Sequence, residues 1–136
     1  MNTEEKKREL ALYRLQQAEE SLDEAKFLFE GNKSPRSVIN RAYYAMFYSV
    51  LAMLVFEEYS SSKHAGVISY FNSRFIKNGF IAKDLGRAIN KAFELRQRGD
   101  YREQVNLTRE QVEPFIDSAR RFIDSSKKYL KDQRFI

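Results

Sequence analysis

The chain predicts an all-α protein: an up-and-down four-helix bundle with an additional fifth helix. Three observations carry that expectation. Apolar residues recur at three- and four-residue spacing over long stretches. Helix caps and stops punctuate the chain. No strand signal occurs, neither sustained alternation nor an Asn-Gly or Asp-Gly turn between β-branched runs. The 136 residues, with five glycines and two prolines, are the usual length of one domain and contain no linker or internal repeat, so residues 1–136 read as a single domain.

The first helix is expected over Thr3–Glu30, where Leu15, Ala18, Leu22, Ala25 and Phe29 keep helical spacing and Gly31 supplies the stop. Ser34-Pro35 is an N-cap followed by proline at the first helical position, where its missing N–H costs nothing. The second helix starts there and reaches about Tyr59, and Ser60 to Ser62 form a short polar loop. A third helix follows from Lys63 or His64 to Asn78, stopped by Gly79, and a fourth from Ala82 to Arg98, stopped by Gly99. Thr108 with Gln111 makes a capping box for the last helix, which continues to about Asp132, with a kink or a late start near Pro114. Apart from the 99–107 loop the connections are short, so consecutive helices should be antiparallel neighbours. On that basis the first four helices run up, down, up and down, and the fifth packs across or alongside.

Composition narrows the chemistry. The absence of cysteine excludes disulfides, thiolate metal sites and cysteine nucleophiles, and suits a reducing cytoplasm. The charged start MNTEEKKREL does not read as a signal peptide, and the apolar run from Ala42 to Phe56 falls short of the roughly 20 residues that span a bilayer. A soluble cytoplasmic protein without membrane association is expected. The net charge of +5 is uneven. Residues 1–30 carry five basic and eight acidic side chains, whereas residues 31–80 carry six and two, and residues 81–136 thirteen and nine. A basic body behind an acidic first helix suits a polyanion or an acidic protein, and equally suits plain solubility.

The second helix, INRAYYAMFYSVLAML at 39–54, is apolar nearly all round and so should be enclosed by its neighbours. Arg41 nevertheless stands at its head, and Arg41, Tyr44, Ala45 and Tyr48 fall on one stripe two turns long. One reading is a site, with a guanidinium to hold phosphate and phenols to stack or bond. The other is an anchor, with Arg41 paired to Glu19, Glu20, Asp23 or Glu24 of the first helix.

Four motifs, RAYYAMF at 41–47, SKHAG at 62–66 with Phe71, FIKNG at 75–79 and RQRGDY at 96–101, together resemble the HEPN domain family. The resemblance is to its small stand-alone prokaryotic branch, often found beside minimal nucleotidyltransferases, and it covers nearly the whole chain. It implies a helical bundle that commonly dimerises. It also implies a role as the partner of a minimal nucleotidyltransferase in a toxin–antitoxin-like two-gene module, binding nucleotide or RNA. Many members resemble metal-independent endoribonucleases that use an arginine and, four to six residues on, a histidine, with the RNA 2′-hydroxyl as nucleophile. Arg41 matches the arginine, and the histidine would fall at position 48, where this chain has Tyr48. A phenol with an ordinary pKa of about 10 shuttles protons poorly at neutral pH, against about 6.5 for imidazole. The candidate catalytic residues are therefore Arg41 and Tyr48, with Tyr44 beside them, and poor RNA cleavage is expected. A homodimer is expected too, because the second helix has more apolar circumference than one small bundle needs.

A second polar cluster consists of His64 with Arg96, Asp100 and Tyr101. In the alternating order it lies at the pole opposite Arg41, 23 residues away along the chain, so the two should not form one site within a chain. It reads either as a small anion-binding or acid–base group, or as an aspartate–arginine–tyrosine closure of the bundle, an arrangement that is common at loop poles. A lone histidine is no metal site, and no HExxH or glycine-rich phosphate loop occurs, so no metal or cofactor is expected. Three roles remain open: a nucleotidyltransferase partner that binds without cleaving, a ribonuclease with a substitute for the missing histidine, and a structural bundle without ligand.

Overall fold

The computed structural model describes residues 2–100 and 106–136, except for the side chains of Gly99 and Asp100. The described residues form helices α1 (Thr3–Glu30), α2 (Pro35–Leu54), α3 (His64–Phe71), α4 (Lys83–Asp100), α5 (Arg109–Val112) and α6 (Pro114–Asp132), and no strand. The caps at Ser34 and Thr108 act as the sequence indicated: Ser34 Oγ accepts from the Ser37 N–H at 3.2 Å, and Thr108 and Gln111 close a capping box. At the first helix Asn2 Oδ1 accepts from the Glu5 N–H at 2.8 Å, a cap not foreseen. Pro114 gives the late start, opening α6 behind the single turn of α5. The first helix ends at Glu30, but the left-handed residue that turns the chain is Asn32 (φ 55°), not Gly31.

The bundle is up-and-down, as expected, but its four members are α1, α2, α4 and α6. The helix that stands aside is α3, not the last. His64, at the start of α3, lies against Tyr43 and Phe47 in the first half of α2. Tyr70 and Arg74, at its far end, both bond Glu57 just beyond the end of α2. Helix α3 therefore runs parallel to α2, and the chain must travel back along α2 before α3 begins.

That return is made by residues 55–63, because α2 ends at Leu54 and not near Tyr59. Tertiary bonds outweigh helix propensity here. Glu57 accepts from the Tyr70 hydroxyl at 2.7 Å and from Arg74 Nε at 2.9 Å, while the Tyr59 hydroxyl donates to the Gly66 carbonyl at 3.0 Å. Gly66 permits the close approach: a Cβ there would lie 2.8 Å from Ser61 Oγ and 3.2 Å from the Tyr59 hydroxyl.

Beyond α3 the chain makes a π-helical turn over Asn72–Ile76 and stops at Gly79 (φ 80°). Gly86 of α4 packs on that turn, where a Cβ would meet Ile76 Cγ1 at 3.0 Å. Helix α4 passes through Gly99 to Asp100, since glycine is tolerated in a final turn. Residues 101–105 of the predicted 99–107 loop lie outside the described residues.

Helix α2 is the axis of the core. Val38, Ile39, Tyr43, Met46, Val50 and Met53 are buried on it, against Leu15, Leu22, Ile89, Phe122 and Leu130 from the surrounding helices. Its buried serine hydroxyl, Ser49, is satisfied by the Ala45 carbonyl at 2.9 Å. Among the described residues no helix is long and apolar enough to cross a membrane.

Candidate functional site

The first two turns of α2 carry Arg36, Ser37, Asn40 and Arg41. Together with Leu28 of α1 and Arg96 of α4 they line an open cleft of about 500 Å³. Three arginines line this space, and none of its lining residues among those described is acidic. The nearest bonded carboxylate is Glu24, whose Oε1 accepts from Arg41 Nη1 at 3.2 Å. That pair is the anchor foreseen for Arg41, but the two side chains are 30% and 57% exposed, so solvent screens it to about 1 kcal/mol or less. Asn40 Oδ1 accepts from Arg41 Nε at 3.1 Å and Nη2 at 3.0 Å, holding the guanidinium plane beside the cleft.

Behind the arginines lies a shelf of aromatic rings. Tyr44 carries two guanidiniums near its ring, Arg41 at 5.1 Å and Arg96 at 5.0 Å from the centroid. Arg96 Nη2 donates to the Tyr44 hydroxyl at 3.1 Å, and the same guanidinium sits 5.3 Å from the centre of the Tyr43 ring. Its Nε is buried and has no hydrogen-bond partner among the described residues. A buried donor left unpaired costs roughly 1–3 kcal/mol, so this one stands out from the rest of the bundle.

His64 joins the same shelf. Its ring stacks on Phe47 at 4.1 Å between centroids, lies edge-on to Tyr44 at 5.8 Å, and its Nδ1 is 2.9 Å from the Tyr43 hydroxyl. The expectation that His64 and Arg41 occupy opposite poles is thus overturned: both touch the ring system of Tyr43 and Tyr44. Burial, with a smaller contribution from the Arg96 charge, lowers the His64 pKa, so the imidazole is neutral at pH 7. Burial likewise raises the Tyr43 hydroxyl far above its ordinary value, so it stays protonated and remains a donor.

Of the residues singled out in the sequence, Arg41, Tyr44, His64 and Arg96 come together. Tyr48 continues the stripe, half-buried with its ring 5.6 Å from Tyr44, one turn away from the arginine cleft. The side chain of Asp100 and all of Tyr101 lie outside the described residues. Sequence reasoning missed Tyr43, Arg36, Ser37 and Asn40. Tyr43 was hidden because it falls off the stripe and reads as core, which it also is. Extending the stripe one turn backwards from Arg41 would have found Ser37 and Asn40, four residues before Arg41 and Tyr44, whereas Arg36 lies off that stripe.

A sequence model of the HEPN domain matches residues 11–129, almost the whole helical bundle. The chain belongs to the HEPN domain family. A UPF0332 protein of Thermotoga maritima is 44% identical over 110 residues, which cover 81% of this chain and 80% of that protein. Two proteins of Methanocaldococcus jannaschii, each named "putative toxin", are also similar. One is 46% identical over 84 residues, 62% of either chain, and the other 35% identical over 96 residues, 71% of this chain and 65% of that protein. In this HEPN domain the matched span includes the entire aromatic shelf and all three cleft arginines.

Proposed function

We propose that this HEPN-domain protein binds the phosphate of RNA or of a nucleotide in the cleft between α2 and α4. We further propose that it is the toxin-like member of a two-gene module whose other product is a minimal nucleotidyltransferase. The observation that carries the first part is the cleft itself: Arg36, Arg41 and Arg96 line one space with, among the described residues, no acidic lining residue and no partner for one buried guanidinium donor. The second part is supported by the family and by the relatives named as toxins. A homodimer in the cytoplasm, as the sequence suggests, belongs to the same proposal.

A second reading is a metal-independent endoribonuclease that uses Arg41. One observation favours it: the only imidazole of the chain lies on the same aromatic shelf as Arg96 and Tyr44.

The test is binding of a fluorescently labelled oligoribonucleotide, followed by anisotropy at low and moderate salt. Arg36→Ala and Arg41→Ala should each weaken binding by roughly tenfold, as expected for loss of one charge-assisted contact. Lys128→Ala, on an exposed residue that pairs with Asp132 of α6, should leave it unchanged. Equal binding by all three variants would remove the cleft from consideration.

A further inference from the structure

Arg41 has two hydrogen-bond partners of different kinds: a neutral amide next to it in the chain and a carboxylate on another helix. We propose that Glu24 is the resident counter-ion of the cleft, holding Arg41 while the cleft is empty and giving way when an anion arrives. It thereby sets how tightly an anion must bind in order to enter. The inference rests on the cleft being a phosphate site.

A guanidinium has five N–H groups. Asn40 Oδ1 accepts from two of those on Arg41, through Nε at 3.1 Å and Nη2 at 3.0 Å, and Glu24 Oε1 accepts a third, from Nη1 at 3.2 Å. One N–H is left on each Nη. Asn40 is neutral, so it fixes the guanidinium plane without cancelling its charge. Glu24 does cancel charge. A two-pronged grip on a phosphate takes one N–H from each Nη, which brings a phosphate oxygen to the nitrogen that already holds the carboxylate. Two anions bonded to one nitrogen lie within about 5 Å of each other and repel, so one of them must leave.

The carboxylate is built to be the one that leaves. Its side chain is 57% exposed, so water receives it without a desolvation cost. It is held by one bond to one oxygen, and among the described residues it makes no other hydrogen bond. Asn40 stays on Nε and Nη2, so Arg41 keeps its direction after Glu24 has swung away. Among the described residues neither Arg36 nor Arg96 is in an ion pair, which leaves Glu24 as the carboxylate bonded to the arginines that line the cleft. The anchor and the site that the sequence allowed for Arg41 are then two states of one residue.

The test compares Glu24→Gln with Glu20→Gln in the oligoribonucleotide anisotropy assay. Glu20 is exposed, lies one turn earlier on α1 and bonds Gln16, so its replacement removes the same charge from the same helix without touching Arg41. Glu24→Gln should tighten binding by roughly two- to fivefold, the range expected for a solvent-screened pair, and Glu20→Gln should change it far less. In an Arg41→Ala background Glu24→Gln should add no more than Glu20→Gln does. Unchanged or weaker binding by Glu24→Gln would overturn the inference, because a partner that only positions Arg41 weakens binding when it is altered. Equal tightening by Glu20→Gln would overturn it too, since the field of α1 and not the pair would be the cause. A Glu24→Gln gain that persists in full without Arg41 has the same consequence. The phosphate-site reading fails separately: it falls when wild type does not bind the oligoribonucleotide, or when Arg36→Ala and Arg41→Ala bind it as wild type does, and the inference falls with it.

Discussion

Two arginine clusters, on different faces of the bundle, are built on opposite principles. At the α1–α6 contact, Arg120 makes a two-pronged bond to Glu19 (Nη1 to Oε2 at 2.9 Å, Nη2 to Oε1 at 2.6 Å) and also reaches Asp124 at 3.1 Å. Lys127 adds a further contact to Glu19 at 2.7 Å. Each charge there has a counter-charge, and the Arg120 bond is the main cause that holds the Glu19 carboxyl down at about 2. In the α2–α4 cleft Arg96 has instead a neutral phenol, two aromatic faces and an Nε that is buried and unpartnered among the described residues, while the carboxylate partner of Arg41 is solvent-screened. A paired cluster is finished by folding. The other leaves Arg96 without a counter-charge among the described residues, and that difference is what supports reading the cleft as a site.

Exchanging the same side chain in both places should separate the two roles. Arg96→Met should weaken oligoribonucleotide binding by roughly tenfold or more and leave stability within about 1 kcal/mol, because an unpaired donor disappears along with the charge. Arg120→Met should leave binding unchanged and lower stability by about 1 kcal/mol, the partial exposure of the pair limiting the loss. Anisotropy and urea titration of the two variants check both expectations, and reversed outcomes would break the comparison.

The next effect concerns the loop that delivers His64. Gly66→Val places carbon where Ser61 Oγ and the Tyr59 hydroxyl already stand, and should cost about 2 kcal/mol by forcing the 55–63 segment off α3. The loss should be accompanied by weaker Tyr43–His64 coupling, visible as a rise of the His64 pKa toward its ordinary value in NMR titration. An unchanged His64 titration would mean that the loop does not position the ring.

The smallest effects are acid-linked, and they fall in two separate windows. Glu19 is lowered in the fold, so its contribution is complete above the ordinary value of 4.5 and is lost as the pH falls from there toward about 2. His64 is also lowered, so folding favours its neutral form and stability falls as the pH drops below 6.5. Denaturant midpoints between pH 8 and pH 3 should show both steps, each about 1 kcal/mol or less. Glu19→Gln should flatten the lower step alone, and His64→Gln the upper.

What the sequence by itself determined follows from local rules. The all-α class, the N-caps at Ser34 and Thr108, the start forced by Pro114, the stop at Gly79 and the enclosure of α2 depend on spacing and backbone chemistry within a few residues, and each is present in the fold. The Arg41–Tyr44–Tyr48 stripe was legible for the same reason. The grouping of the site was decided by tertiary structure. Glu57 is just another helix-compatible residue in the sequence, yet its bonds to Tyr70 and Arg74, with that of Tyr59 to Gly66, accompany the early end of α2, the parallel course of α3 and the return of His64 to Tyr43. The partners of Glu57 lie 13 and 17 residues away in the chain, beyond the reach of any helical period, and the 52 residues between Tyr44 and Arg96 put the other half of the site further still from local inference. Short-range backbone preferences specify which helices form, whereas the side-chain bonds between helices specify which end of each one meets the others.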